Sequence, residues 1–210
     1  STLSKLYLFE YVNSLGIKAI PTERVSLKSK NNIGYPAVVK PEIPLYGKKN
    51  VFLINNRNEL KDAINASSEE SINSKCIIQP YLFGIDLIAV ASSKMGILNG
   101  LDFFIENNKF DTSGVKHNGM LEITEEIKKN TVTEIKKIIQ TILNFNTTTG
   151  FTVFSFRYGS EIGLNLYEVN VGLSGDKLAD IFLPEKWGKN FFEMEIQLMT
   201  NSNDIMWGNL

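Results

Sequence analysis

Three groups of residues in this chain have the type and spacing to do chemistry. Lys40 closes the run Tyr35-Pro36-Ala37-Val38-Val39-Lys40-Pro41, and Lys48 and Lys49 follow Gly47 in the next loop. An ammonium group at the mouth of a sheet, beside two further cations, can hold a polyphosphate. Taken alone, Lys40 reads first as a solvent-facing lysine at a strand end. The second group is Gln79-Pro80-Tyr81-Leu82-Phe83-Gly84-Ile85-Asp86, in which a proline breaks an apolar strand and a glycine precedes its resumption. An interrupted strand leaves backbone N–H and C=O groups free to bind a planar heterocycle, and Asp86 just beyond could accept from ribose hydroxyls. A plain β-turn with a turn-favouring aspartate is the equal alternative. The third group is Glu168-Val169-Asn170, where a carboxylate and an amide oxygen two residues apart share one face of a strand. Two hard oxygen ligands suit Mg²⁺ bound together with phosphate oxygens, and an unpaired buried carboxylate among Leu164, Leu166, Val169 and Val171 would be expensive.

Composition removes other classes of chemistry. The formal charge of −1 gives no basic excess for a phosphate backbone, so no nucleic-acid partner is expected. Cys76 and His117 are the sole residues of their kinds, too few for a tetrahedral zinc site, and one cysteine forms no internal disulfide. A reducing, cytoplasmic setting is the expectation. No apolar run approaches the ~18 residues of a membrane span, so no membrane association is expected either. Neither GxxxxGK[ST] nor GxGxxG occurs. The start, Ser1-Thr2-Leu3, lacks an initiator Met and a signal core, which raises the expectation of an upstream domain in the full-length protein.

The elements that must carry these residues read as α+β. Leu8, Tyr11, Val12 and Leu15 recur at helical spacing before Gly16, predicting a helix over about residues 2–15. Strands are expected at Tyr35–Pro41 and Asn50–Ile54, then a short helix opened by an Asn56/Glu59 capping box, and a polar linker from Ser67 to Lys75. Cys76–Tyr81, Asp86–Ser92 and Ile97–Ile105 read as a three-stranded meander. Glu106–Met120 reads as a functional loop. A long helix carries Ile123, Ile127, Ile135, Ile138, Ile139 and Ile142, a hairpin joins Phe151–Tyr158 to Leu164–Val171, and a last helix carries Phe192, Ile196 and Met199. Strands in hairpins mixed with helices disfavour a doubly wound parallel sheet.

Lysine strand, broken strand and Glu-x-Asn hairpin, in that order, resemble an ATP-grasp domain over nearly the whole chain. Ile33-Gly34-Tyr35-Pro36-Ala37-Val38-Val39-Lys40-Pro41 is the most specific stretch. Gly16-Ile17 with Pro21 is similar to the family's exit from its opening helix, and Glu168-Val169-Asn170 followed by Leu173-Ser174-Gly175-Asp176 resembles the end seen in its carboxylate–amine ligases, amino-acid ligases included. The resemblance implies two α+β lobes with mostly antiparallel sheets clasping a nucleotide cleft, residues 1–81 forming the opening helix and N-terminal lobe and residues 82–210 the C-terminal lobe. It implies an ATP-dependent ligase that forms C–N bonds through an acyl phosphate, with ATP and Mg²⁺ as cofactors and small-molecule carboxylate and amine substrates. By the same resemblance Lys40, Lys5, Lys48 and Lys49 contact the nucleotide. Gln79, Pro80, Tyr81 and Leu82 form the adenine hinge, Asp86 takes the ribose, and Glu168 and Asn170 hold metal.

Three positions depart from the family pattern. Ser155 stands where the first metal carboxylate is expected, Gly172 where an arginine steadies the acyl phosphate, and Gln79 where the hinge has glutamate. Arg157 could replace the lost guanidinium, and His117 lies in the stretch that would approach the acceptor. One bound Mg²⁺ with slow or absent phosphoryl transfer is therefore expected, and a catalytically degenerate nucleotide-binding or regulatory module is the alternative.

Overall fold

The computed structural model describes residues 4–28, 32–46, 49–111, 114–122, 129–172 and 178–200. Helix α1 (Lys5–Ser14) buries Phe9 and Val12. It ends as Gly16 suggested: Ile17 N–H donates to the Val12 carbonyl and Gly16 N–H to that of Asn13, the paired bonds of a Schellman motif. A four-stranded antiparallel sheet follows, in the order β1 (Glu23–Val25), β4 (Cys76–Pro80), β2 (Ala37–Pro41), β3 (Phe52–Ile54). Helix α2 (Arg57–Glu69) covers it, and Val25, Ala37, Val39, Ile54, Ala63, Ile64, Cys76 and Ile78 form the core between them. Asn56 caps α2 by accepting from Asn58 N–H, while Glu59 accepts from Asn55 N–H and the Asn56 amide. Burial pushes the Cys76 thiol pKa up, which makes this cysteine a core residue and a poor nucleophile.

A second sheet of five strands runs β7 (Gly114–Glu122), β6 (Ile97–Asp111), β5 (Ile85–Lys94), β8 (Gly150–Gly159), β9 (Gly163–Val171). Its central strand β5 is buried at every position from Asp86 to Ser93. Helix α3 (Lys129–Asn146) buries Ile135, Ile139, Ile142 and Leu143. A π-helical turn (Leu178–Phe182), α4 (Leu183–Trp187) and α5 (Phe191–Met199) complete the described chain. No helix among the described residues is long and apolar enough to cross a membrane. The fold class is α+β.

Contacts divide the chain into two compact units. One holds Ser1–Asp86, Glu106–Met120 and Arg157–Tyr167, the other Leu87–Ile105, Leu121–Phe156 and Glu168–Leu210.

Several elements differ from the sequence reading. The expected meander is broken, because β4 belongs to the first sheet and only β5 and β6 pair as neighbours in the second. Within the stretch read as a loop, residues 106–111 are the end of β6 and residues 114–120 most of β7. Polar residues such as Asn107 and Asn108 hide these strands by removing the apolar alternation. The proposed linker from Ser67 is helical as far as Glu69. On α5 the buried residues are Phe191, Met194 and Leu198, whereas Phe192, Ile196 and Met199 lie on its exposed face.

One buried acid ties the first unit together. Glu42, 1% exposed, accepts 2.8 Å bonds from Arg24 Nε and Nη2 and a short bond from the Ser4 hydroxyl at the head of α1. The Arg24 hydrogen bonds hold its pKa below the usual range against the opposing effect of burial, with Ser4 adding to the lowering. The bridge therefore stabilises the fold above the unfolded-state carboxyl pKa of about 4.3 and is lost as pH falls through the lower folded value. Glu42→Gln is expected to cost about 1–3 kcal/mol near pH 7. In urea melts the gap between wild type and variant should stay constant above about pH 6 and close below about pH 4; a gap that widens in acid contradicts this role.

Candidate functional site

Lys40 sits on β2 opposite Ile77 of β4. Its side chain is 7% exposed, and Nζ lies 5.7 Å from the centroid of the Tyr167 ring, whose face offsets part of the cost of burying the charge. The lysine is thus an inward-facing residue of the first unit and not a solvated strand end. Lys49 is directed elsewhere: its ammonium pairs with buried Glu70 at 2.9 Å and lies 5.7 Å from the Tyr46 ring. Lys5 opens α1, where its backbone N–H donates to the Glu42 carbonyl. Lys48 lies outside the described residues.

Strand parity sets the geometry of residues 79–82. The Gln79 side-chain amide is buried and donates to Thr22 Oγ1 at 2.8 Å, so this side chain braces the sheet. Tyr81 N–H donates to the Pro36 carbonyl, which turns the backbone groups of Tyr81 and Gln79 toward β2. Alternation then turns the Pro80 carbonyl to the opposite side, and an extended backbone through Tyr81 would carry the Leu82 N–H the same way, just beyond the end of β4. On that side β1 has already ended, its last pair being Glu23 with Ile78. Continuing the register would bring Pro21 opposite Pro80, and Pro21 has no N–H to offer. An acceptor and a donor therefore lie along one strand edge, complementary to a heterocycle with an amino group beside a ring nitrogen. A proline is tolerated in β4 for the same reason, since its missing donor faces no partner strand.

Beyond the hinge, Asp86 is buried and its Oδ1 pairs with Arg157 Nη2 at 3.0 Å. Arg157 also donates from Nη1 to the Gly84 carbonyl at 3.1 Å, and its guanidinium carbon lies 5.3 Å from the Tyr81 ring centroid. The Asn108 amide bridges two carboxylates, donating to Asp86 Oδ2 at 3.1 Å and to Glu106 Oε2 at 2.9 Å. The sequence reading missed Glu106, Asn108 and Tyr167. The signal for the first two was present: Glu106-Asn107-Asn108 repeats the Glu-x-Asn spacing of Glu168-Val169-Asn170.

In the second unit, Glu168 and Asn170 are half-buried at alternate positions of β9, hence on one face. Ser155 is 3% exposed between the fully buried Phe154 and Phe156. Gly172 holds φ +85° with open space where a side chain would begin, so an arginine there would be strained by its backbone. His117 falls on β7, but its side chain lies outside the described residues, as do Leu173 to Asp176.

No family model and no curated protein matches this sequence. Solved structures do match in fold. The L-amino acid ligase from Bacillus licheniformis superposes with a TM-score of 0.70 at 16% identity, over 93% of this chain and 47% of that one. The biotin carboxylase domain of the Hydrogenobacter thermophilus 2-oxoglutarate carboxylase, solved with MgADP and bicarbonate, gives 0.75 at 13% identity over 99% and 47%. D-Alanine-D-alanine ligase from Helicobacter pylori gives 0.63 at 15% over 94% and 57%. This chain spans about half the length of each of these proteins. At such identities the likeness establishes the fold, which is ATP-grasp.

Proposed function

We propose that this chain binds ATP and forms the nucleotide-binding part of a cytoplasmic ATP-dependent carboxylate–amine ligase. The observation that carries the reading is the edge of β4, where the Pro80 C=O faces the side that β1 leaves open and an extended backbone through Tyr81 would turn the Leu82 N–H the same way. Adenine presents the matching pattern, an amino donor at N6 and an acceptor at N1. Lys40, buried on the adjacent strand, supplies positive charge for phosphate, and Asp86 at the start of β5 accepts from the ribose. In such a ligase a substrate carboxylate oxygen attacks the γ-phosphorus and ADP leaves. The amine then attacks the acyl-phosphate carbon and inorganic phosphate leaves with the C–O bond electrons. The protein contributes chiefly positioning and charge neutralisation.

The donor set of β9 fits Mg²⁺. Glu168 and Asn170 offer two hard oxygens, and among the described residues no group of three or more His, Cys, Asp or Glu could hold a metal unaided. That pattern suits an ion that takes its remaining ligands from phosphate and water and supplies charge neutralisation to the triphosphate.

A specific observation favours a second reading, binding without turnover. Ser155 is a buried hydroxyl where the resemblance expects a carboxylate, and Gly172 has a backbone conformation unsuited to arginine. Calorimetry of ATP with and without Mg²⁺ tests binding: Lys40→Ala is expected to weaken ATP by about ten- to a hundred-fold, and equal affinity in both proteins, or none in either, removes the proposal. ADP release on adding candidate carboxylates and amines separates the ligase from the silent module.

A further inference from the structure

One planar group organises the segment that follows the hinge. The Arg157 guanidinium touches it at three points, the Tyr81 ring, the Gly84 carbonyl and the Asp86 carboxylate, and its side chain is only 13% exposed. A guanidinium directs five N–H donors within one plane, so it can fix an acid, a carbonyl and an aromatic face in a single frame; a lysine would supply the charge but not the plane. The other Asp86 oxygen is held by Asn108, whose amide is itself held by Glu106. Asp86 is thereby tied through both oxygens to two different strands, β8 and β6. Among the described residues the Asn108 carbonyl oxygen is buried with no donor, so the amide's contribution here lies in its two donated bonds.

An acceptor fixed before the ligand arrives loses no rotamer freedom when the ligand binds, and its geometry then selects which hydroxyls it accepts. We propose that Arg157 and Asn108 are positioning residues which, by holding Asp86, set a preference for ribonucleotides over deoxyribonucleotides without touching the sugar themselves. This rests on the reading that residues 79–86 bind ATP. It gives Arg157 a place at the sugar end of the nucleotide and not at an acyl phosphate.

The test is calorimetric titration of ATP, 2′-deoxy-ATP and 3′-deoxy-ATP into the wild-type chain, Arg157→Met, Arg157→Lys and Asn108→Ala. Wild type is expected to bind ATP about ten-fold or more tightly than at least one deoxynucleotide. In Arg157→Met that preference should shrink to about two-fold, because ATP affinity falls while the affinity for that deoxynucleotide barely moves. Arg157→Lys should retain part of the preference, and Asn108→Ala should also reduce it. A parallel loss for all three nucleotides, with their ratios unchanged, overturns the proposal and leaves Arg157 a merely structural residue. Wild type that binds ATP without sugar preference also overturns it, yet leaves the ATP-binding reading intact; wild type that binds no ATP overturns both. Should Arg157→Met fail to fold, the ratios in Arg157→Lys and Asn108→Ala decide in the same way.

Discussion

Gly84→Ala is expected to lower stability by about 1–3 kcal/mol, seen as a fall of about 3–10 °C in the melting temperature for a chain of this size. A Cβ at Gly84 would lie 2.4 Å from the Tyr158 carbonyl oxygen, 3.0 Å from its carbon and 3.2 Å from Ile162 Cδ1. The clash is backbone against backbone, so no rotamer change relieves it. The same approach recurs at Gly159, whose Cβ would lie 3.2 Å from the Phe83 carbonyl oxygen. The hinge segment is therefore seated directly on the end of β8. Because the Gly84 carbonyl also accepts from Arg157, whatever shift makes room for the methyl group moves a contact that fixes Asp86. ATP affinity should then fall in the variant at temperatures where it is still folded. Gly34→Ala is the control: it meets open space, and its effect should stay within about 0.5 kcal/mol. A Gly84→Ala protein that melts with wild type would show that residues 83–84 do not lie against 158–159.

How much of this was legible in the sequence depends on how local each cause is. The α1 terminus and the Asn56 cap were readable because their partners lie within five residues. Strand β1 was not, since Glu23-Arg24-Val25 carries no alternation and forms only by pairing with Cys76–Ile78. The meander failed for a related reason: three strand-like runs in sequence say nothing about which sheet each joins, and the broken segment after Pro80 is where the chain changes sheets. Helix α4 was concealed by Pro184, which at the first helical turn is compatible with a helix but reads as a break.

The candidate site divides along the same line. The strand that carries Lys40 and the break after Pro80 were legible because proline chemistry acts over a few residues, whereas the burial of Lys40 was not. The partners of Asp86 were not, because Arg157 and Asn108 lie on different strands far from it in sequence. Charge at Lys49 was visible, but its pairing with Glu70 depends on how the chain leaves α2. Ser155 shows the limit most plainly. Its identity could be read, whereas its burial at 3% exposure means that a glutamate introduced there would have to ionise where little water reaches. Introducing a glutamate at Ser155 and an arginine at Gly172 is thus a test of stability before it is a test of activity.

Asp102→Ala should be the most damaging single change in the second unit. Asp102 on β6 is buried, and its carboxylate accepts from Lys186 Nζ at 2.7 Å, from Trp187 Nε1 at 2.8 Å and from the Phe103 N–H at 2.9 Å. Lys186 and Trp187 are the last two residues of α4, so one carboxylate fastens the end of that helix to the sheet. The Trp187 ring stacks against Phe151 at 6.2 Å, and Phe151 packs on Phe191 at 4.3 Å, which extends the same anchor to α5. The Lys186 side chain is 21% exposed and rests against the Phe104 ring, so its charge remains largely out of water when the carboxylate is removed. Breaking a buried pair from one side costs about 3–5 kcal/mol, and a melting temperature lower by about 10 °C or more is expected. Salt should not rescue wild type and variant to the same value, because buried pairs are poorly screened. Asp102→Asn, which keeps an acceptor but loses the charge, should fall between the two. None of these residues is among those proposed to hold nucleotide, so the ATP affinity of the folded variant should match wild type. An Asp102→Ala protein that melts within 2 °C of wild type would mean that α4 is held to the sheet by its apolar contacts and not by this carboxylate.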